Sequence, residues 1–172
     1  MQRLSPITAC RYPQADAVNG PLAAAFDRLT EADFSRCSHF IGGRFENLYL
    51  DRGRLPGLDD LLVFAESQAR ALLERGAAPL RLGFWLNAME PGQRTSAHSH
   101  EENDELLSGV YYIAVPPDSG DILFHDDPFE VRVTPEPGLM LFFAPGLAHS
   151  VEQNRSAERR LSLAFNIGPA ET

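Results

Sequence analysis

The sequence is poor in cysteine, in long apolar runs and in clustered positive charge, and each shortage closes a class of function. Two cysteines, Cys10 and Cys37, cannot build the disulfide framework of a small secreted domain, and a reduced cytosolic pair is the expectation. No stretch reaches the ~20 apolar residues that a membrane-spanning helix needs. The opening MQRLSPITACRYPQAD lacks the apolar core of a signal peptide. A soluble, cytoplasmic protein with no membrane partner is therefore expected. The densest basic spots are Arg159-Arg160 and Arg52 with Arg54, both short. With a net charge of −9 and a pI near 4.9, such a chain repels phosphate backbones, so nucleic acid is not an expected partner. Internal repeats and low-complexity tracts are also missing.

What is present is 172 residues, 44% hydrophobic and 23% charged, enough for one domain with a full core. Within residues 1–172 the texture divides in two. Residues 1–79 read as a helical support region with a short strand, and residues 80–168 as the β core. PLAAAFDRLTEADF (21–34) and LPGLDDLLVFAESQARALLERG (55–76) carry apolar residues at helical spacing. In the second, Leu61, Leu62, Ala65, Ala69 and Leu72 form one stripe, and Gly76 stands where a C-terminal cap belongs. FENLYL (45–50) between them predicts a short strand.

From residue 80 onward, short segments rich in β-branched and aromatic residues alternate with Pro, Gly, Asn and Asp. Strands are predicted over 81–89, 106–115, 121–125, 129–134, 138–144, 149–153 and 159–167. Seven short strands at this spacing indicate an all-β sandwich or barrel. GVYYIAV and LMLFFA are apolar on both faces, so each needs cover on both sides, and the two amphipathic helices supply the outer layer. The fold class expected is mainly β: a double-stranded β-helix, of the jelly-roll or cupin kind, with flanking N-terminal helices.

Five histidines occur: His39, His98, His100, His125 and His149. His98 and His100, two residues apart at a strand edge, point to the same side. His149 follows the turn Ala144-Pro145-Gly146 and opens a later strand, which a β-helix makes a spatial neighbour of the first. Two ligands from one short motif and a third from a distant strand suit a facial metal site, open on its other side to substrate and oxygen. A second solution is His100, Glu102 and His149, with His98 behind the ligands. In the last strand Arg160, Ser162, Ala164 and Asn166 share one face, and Leu161, Leu163 and Phe165 the other. An inward arginine needs an anion, and its planar fork suits a carboxylate with Ser162 as a further donor. On the adjoining strand Tyr112 shares a face with Ser108 and Val110 and reaches the same place. Trp85 reads as core. Asn87, on its face of the strand, must hydrogen-bond substrate or backbone. His125 reads as a turn histidine, and His39 and both cysteines receive no role.

Taken in order, Trp85-x-Asn87, Gly92, His98-x-His100, Ser108-Gly109-Val110-Tyr111-Tyr112, Ser119-Gly120-Asp121, Phe124 with Asp127-Pro128, Pro137-Gly138, Phe142-Phe143-Ala144-Pro145, His149-x-Val151 and Arg160-x-Ser162 through Phe165-Asn166 resemble a known family. It is the 2-oxoglutarate- and iron(II)-dependent oxygenases of small bacterial type, distant relatives of prolyl hydroxylases. The resemblance is close over about 80–167 and looser around Gly42-Gly43. It implies a double-stranded β-helix using Fe(II), 2-oxoglutarate and O2. His98, the residue two after it and His149 would hold iron, and Arg160, Ser162 and Tyr112 the distal carboxylate of 2-oxoglutarate. One departure stands out: the family motif H-x-D or H-x-E is here His98-Ser99-His100. Spacing from Gly92 favours His98, His100 and His149 as the metal set.

The resemblance implies an oxygenase that hydroxylates or otherwise oxidises a small molecule or an amino-acid side chain, releasing succinate and CO2. A three-histidine cupin-type dioxygenase without 2-oxoglutarate is the alternative enzyme, and a non-catalytic metal-binding barrel the alternative to any enzyme. Arg160-x-Ser162 discriminates, since only the first uses a co-substrate carboxylate site. The acidic surface favours a cationic or neutral substrate, and an open edge strand suggests a homodimer.

Overall fold

Strand alternation after residue 80 becomes two antiparallel sheets facing each other, with helices packed on the outside of one. The computed structural model of the chain describes residues 2–4, 7–74, 76, 78–100 and 104–170. The strands are β1 (Gln2–Leu4), β2 (Ile7–Arg11), β3 (Arg36–Ile41), β4 (Arg44–Tyr49), β5 (Leu80–Met89), β6 (Thr95–His98), β7 (Leu107–Ala114), β8 (Ile122–Asp126), β9 (Phe129–Val133), β10 (Leu139–Phe143), β11 (Ala148–Val151) and β12 (Arg160–Pro169). The helices are α1 (Ala15–Phe26) and α2 (Leu58–Leu72). The larger sheet runs β1-β2-β10-β7-β12-β5-β4-β3 and the smaller β6-β11-β8-β9. This is the mainly β, double-stranded β-helix arrangement expected.

Both faces of the central strands are apolar because both are covered. Outside, Tyr111, Met140, Phe142, Leu163 and Phe165 pack against Leu22 and Phe26 of α1 and Leu58, Leu61, Leu62, Ala65 and Ala69 of α2. Inside, Val110, Tyr112, Ile122, Phe124, Leu141 and Phe143 fill the space between the sheets. Leu58, Leu61 and Leu62 of α2 are fully buried, each worth about 1.5–3 kcal/mol relative to exposure. Gly109 lets these layers close: a Cβ there would stand 2.4 Å from the Phe165 ring and 2.7 Å from the Leu141 carbonyl.

The helices depart from their predicted bounds. The first starts at Ala15 rather than at Pro21, which it carries internally. It stops at Phe26 because Thr30 and Asp33 cap a separate short turn over 31–33, the Asp33 carboxylate accepting from the Thr30 N–H at 2.8 Å. Strands β1, β2, β3 and β6 escaped prediction. Strand β3 has side chains half-buried or exposed throughout, so it lacks the apolar-polar alternation that marks a strand with one face on a core. Among the described residues no helix is long and apolar enough to cross a membrane.

Candidate metal centre

Strands β6 and β11 lie side by side with His98 and His149 as register partners, so their rings face each other. His100 follows β6, and its backbone N–H donates to Pro145 O at 2.8 Å, tying it to the turn that leads into β11. The ring centroids are 4.4 Å apart for His98 and His149, 5.0 Å for His98 and His100, and 5.2 Å for His100 and His149. One ligating nitrogen from each lies within 4.8 Å of the others. The three imidazoles expected from the sequence therefore meet. Glu101 and Glu102, needed for the shifted set, lie outside the described residues.

Backbone bonds fix two of the rings for ligation. His98 Nδ1 donates to Ser96 O at 2.9 Å and His149 Nδ1 to Leu147 O at 3.0 Å, which leaves each Nε2 with a free lone pair. Burial pushes His149 down to about 3, with the nearby His98 adding to the effect. His100 falls to about 4 for the same two reasons, in the same order. Both are neutral at physiological pH, the form that binds metal. His149 is backed by the rings of Phe143 at 4.8 Å and Phe124 at 5.9 Å. A neutral trio of imidazoles fits a divalent transition metal.

Arg160 starts β12 on the inward face and is only 4% exposed. Its Nη1 donates to Gly120 O at 2.7 Å and Ser119 O at 3.3 Å, and its guanidinium lies 5.5 Å from the centre of the Tyr112 ring. Among the described residues no carboxylate comes within ion-pairing distance of it. Burial lowers its pKa, the signature of a charge held with incomplete compensation. Tyr112 is fully buried and its hydroxyl has no hydrogen-bond partner; burial pushes it up to about 12. Ser162 is the register partner of Tyr112. A buried cation without its anion, beside a buried hydroxyl without its partner, fits a carboxylate. Gly120 makes the seat possible: at φ 90°, a Cβ would collide with Glu152 O at 2.4 Å.

The neighbouring Arg159 points the other way, pairing with Asp27 and lying 5.0 Å from the Phe26 ring. Asn87 stands opposite Ser162 and accepts a hydrogen bond from Arg44 Nη1 at 3.2 Å. Arg44 and Glu46 form a buried ion pair at 3.1 Å, with Arg44 also donating to Thr95 Oγ1 at 3.3 Å. Sequence reading missed this pair, although R-x-E on a strand places both side chains on one face. His125 bonds Ser150 Oγ at 3.0 Å and lies 3.5 Å from Glu130, on the smaller sheet. Trp85, expected in the core, is buried, and its ring lies 5.7 Å from that of His100 and 6.1 Å from that of Tyr49. It forms part of a cavity of about 730 Å³ whose lining includes His98 and His100 on one side and Arg36, His39 and Tyr49 of the β3–β4 hairpin on the other.

Residues 83–133 match the family described as "Putative 2OG-Fe(II) oxygenase". No curated protein matches the chain. Solved structures share the fold. A prolyl-4-hydroxylase from Pseudomonas putida is 20% identical, with 96% of this chain and 88% of that one covered at a TM-score of 0.70. A non-heme alpha-ketoglutarate-dependent carbocyclase from nogalamycin biosynthesis is 17% identical, covering 96% and 80% at 0.72. A 2OG-Fe(II) oxygenase family oxidoreductase from Burkholderia pseudomallei is 15% identical, covering 94% and 84% at 0.65. The matched segment carries the H-x-H motif and Tyr112, so the likeness to that family falls on part of the candidate site. The solved structures add the fold.

Proposed function

We propose that the protein oxidises a small molecule or an amino-acid side chain, most simply by hydroxylation, with His98, His100 and His149 as the metal ligands and Arg160, Ser162 and Tyr112 as the seat of the co-substrate's distal carboxylate. When bound, iron and 2-oxoglutarate supply the activation of O2, and the co-substrate leaves as succinate and CO2. The chain's own residues bind, orient and exclude water. The Nδ1 bonds to Ser96 and Leu147 hold two imidazoles with Nε2 outward. Gly120 O and Ser119 O hold the Arg160 fork in place, so little side-chain entropy is lost when an anion arrives. Phe124, Phe143 and Tyr112 keep the space between the sheets dry, which strengthens the guanidinium–carboxylate attraction.

Arg160 carries this reading. A guanidinium buried on the imidazoles' side of the sheet, with no acid of its own, is unstable without a ligand of opposite charge. The experiment is an anaerobic titration of the Fe(II)-loaded protein with 2-oxoglutarate. The expected result is a weak visible charge-transfer band, with Arg160→Ala raising the 2-oxoglutarate concentration required and His149→Ala losing the iron. No band in the wild type, or a band indifferent to Arg160→Ala, sinks the reading. The all-imidazole donor set favours a second reading, a dioxygenase that oxidises its substrate without 2-oxoglutarate. It predicts oxygen consumption with Fe(II) alone once the substrate is supplied.

A further inference from the structure

The wall of the cavity opposite the imidazoles has features that neither metal binding nor co-substrate binding uses. His39 adopts φ 58°, a left-handed conformation costly for a residue with a Cβ and concentrated at functional positions. The β3–β4 ladder pairs Ser38 with Asn47 and Phe40 with Phe45 and passes over it. His39 Nδ1 accepts from Ser38 Oγ at 2.8 Å and from Asn47 Nδ2 at 3.2 Å. The same Asn47 nitrogen donates to the Tyr49 hydroxyl at 3.3 Å, so the amide is oriented from two sides. With Nδ1 accepting, the neutral ring carries its proton on Nε2 and presents a donor.

Arg36 lies 5.1 Å over the Tyr49 ring. Among the described residues no carboxylate pairs with it. The acids in the lining are committed: Glu46 holds Arg44 at 3.1 Å, and Glu105 is engaged as well. The charged group this wall offers a ligand is the Arg36 guanidinium, with the His39 N–H as a neutral donor near it, set beside the aromatic faces of Tyr49 and Trp85 and the neutral side chains of Ser35 and Asn47. A cation without a carboxylate of its own, with a neutral donor near it, favours an anion.

We propose that the β3–β4 wall is a carboxylate subsite for the prime substrate, in which His39 Nε2–H and the Arg36 guanidinium take the carboxylate while Tyr49 and Trp85 flank the apolar body that reaches toward His98 and His100. The cavity of about 730 Å³ is in the range that encloses a small organic molecule. The substrate class is then a small carboxylic acid, and not the cationic or neutral molecule that net charge alone suggests. Calling the ligand a substrate rests on the oxygenase reading above; the anion preference of the wall does not.

Trp85 is the single tryptophan of the chain and lines the cavity, so its fluorescence reports occupancy in the metal-free protein. The probe pair is cyclohexanecarboxylate and cyclohexanecarboxamide, nearly equal in shape and different in charge. The acid should change Trp85 emission saturably, and the amide should need at least tenfold more. His39→Ala and Arg36→Ala should each raise the acid concentration required at least fivefold without moving the amide's. Arg36→Lys should recover part of the loss, and Arg160→Met should leave the acid response intact. Equal responses to acid and amide, no response to the acid in the wild type, or a response lost in Arg160→Met but kept in Arg36→Ala overturns the subsite. The charge-transfer titration stands apart: an absent band with an intact Trp85 response removes the oxygenase reading and leaves the carboxylate subsite, and the converse removes the subsite alone.

Discussion

The two ends of the space beside the imidazoles are built on opposite terms. Around Arg160 the walls are central strands: β12 pairs with β5 over ten positions from Arg160↔Met89 to Pro169↔Leu80, and with β7 on its other side. Around His39 the wall is a hairpin whose only register pair with the rest of the sheet, among the described residues, is Leu48↔Leu86, and whose tip exposes Phe40 at 65%, Ile41 at 43% and Phe45 at 44%. One end is sealed, dry and set by the core; the other is open, polar and cantilevered. Such a division suits a protein that holds one ligand in a fixed pose at the sealed end while an exposed hairpin chooses the second.

The joint between the two ends is the Arg44–Glu46 pair, and breaking it gives the largest effect. Both side chains are under a tenth exposed, and Arg44 also bonds Asn87 and Thr95. Arg44→Ala leaves Glu46 buried without its cation, at a cost of about 3–5 kcal/mol, read as a lower urea midpoint. The double variant Arg44→Leu with Glu46→Leu should regain most of that loss, because no charge is then stranded. If the single change costs under 1 kcal/mol, the hairpin is not anchored there.

Next comes the sealed end. Arg160→Met removes a guanidinium and keeps the volume of its stem. The 2-oxoglutarate concentration needed for half of the charge-transfer band should rise about 30- to 150-fold, from the loss of about 2–3 kcal/mol of charge-assisted hydrogen bonding. Stability of the ligand-free protein should hold or rise, since a buried unpaired charge has gone. A joint fall in stability and affinity would make Arg160 a structural residue, and the contrast between the ends would lose its sealed member.

What was legible in the sequence follows the same division. Strand alternation placed Arg160 and Ser162 inward with Tyr112 because central strands covered on both faces obey the two-residue period strictly. The H-x-H pair and His149 were legible because a β-helix makes early and late strands neighbours. At the open end the signals fail. Strand β3 has no face on a core and so no alternation, and His39 leaves the regular strand conformation altogether. Trp85 is buried as its place on a strand suggested, but the cavity that it also lines exists only once the hairpin folds across. The Arg44–Glu46 pair shows the remaining gap, since R-x-E on a half-exposed strand looks like solvated charge until Asn87 and Thr95 close over it.

A smaller effect tests the imidazoles without metal. His149 and His100 sit near 3 and 4 in the folded protein, below the ordinary value near 6.5. Between those values the unfolded chain binds protons that the folded one refuses, so the contribution is complete above about pH 6.5 and is lost as pH falls toward 4. By pH 5.5 each histidine should have cost the metal-free protein about 1 kcal/mol. Urea midpoints at pH 7 and pH 5.5 read this loss, and His149→Asn should flatten the difference. Equal slopes for variant and wild type would mean that the His149 ring is hydrated.

The smallest effect belongs to the hairpin tip. Phe40 and Phe45 touch at 5.0 Å between ring centroids, and both are largely exposed, so little of their surface leaves water on folding. Phe40→Ser with Phe45→Ser should change the urea midpoint by less than about 0.5 kcal/mol, the range of ordinary surface substitutions. The charge-transfer band of the Fe(II) and 2-oxoglutarate complex should be unmoved. A loss of several kcal/mol would mean that the tip packs onto the body of the protein in solution, and the open end would then be part of the core that the closed end already shares.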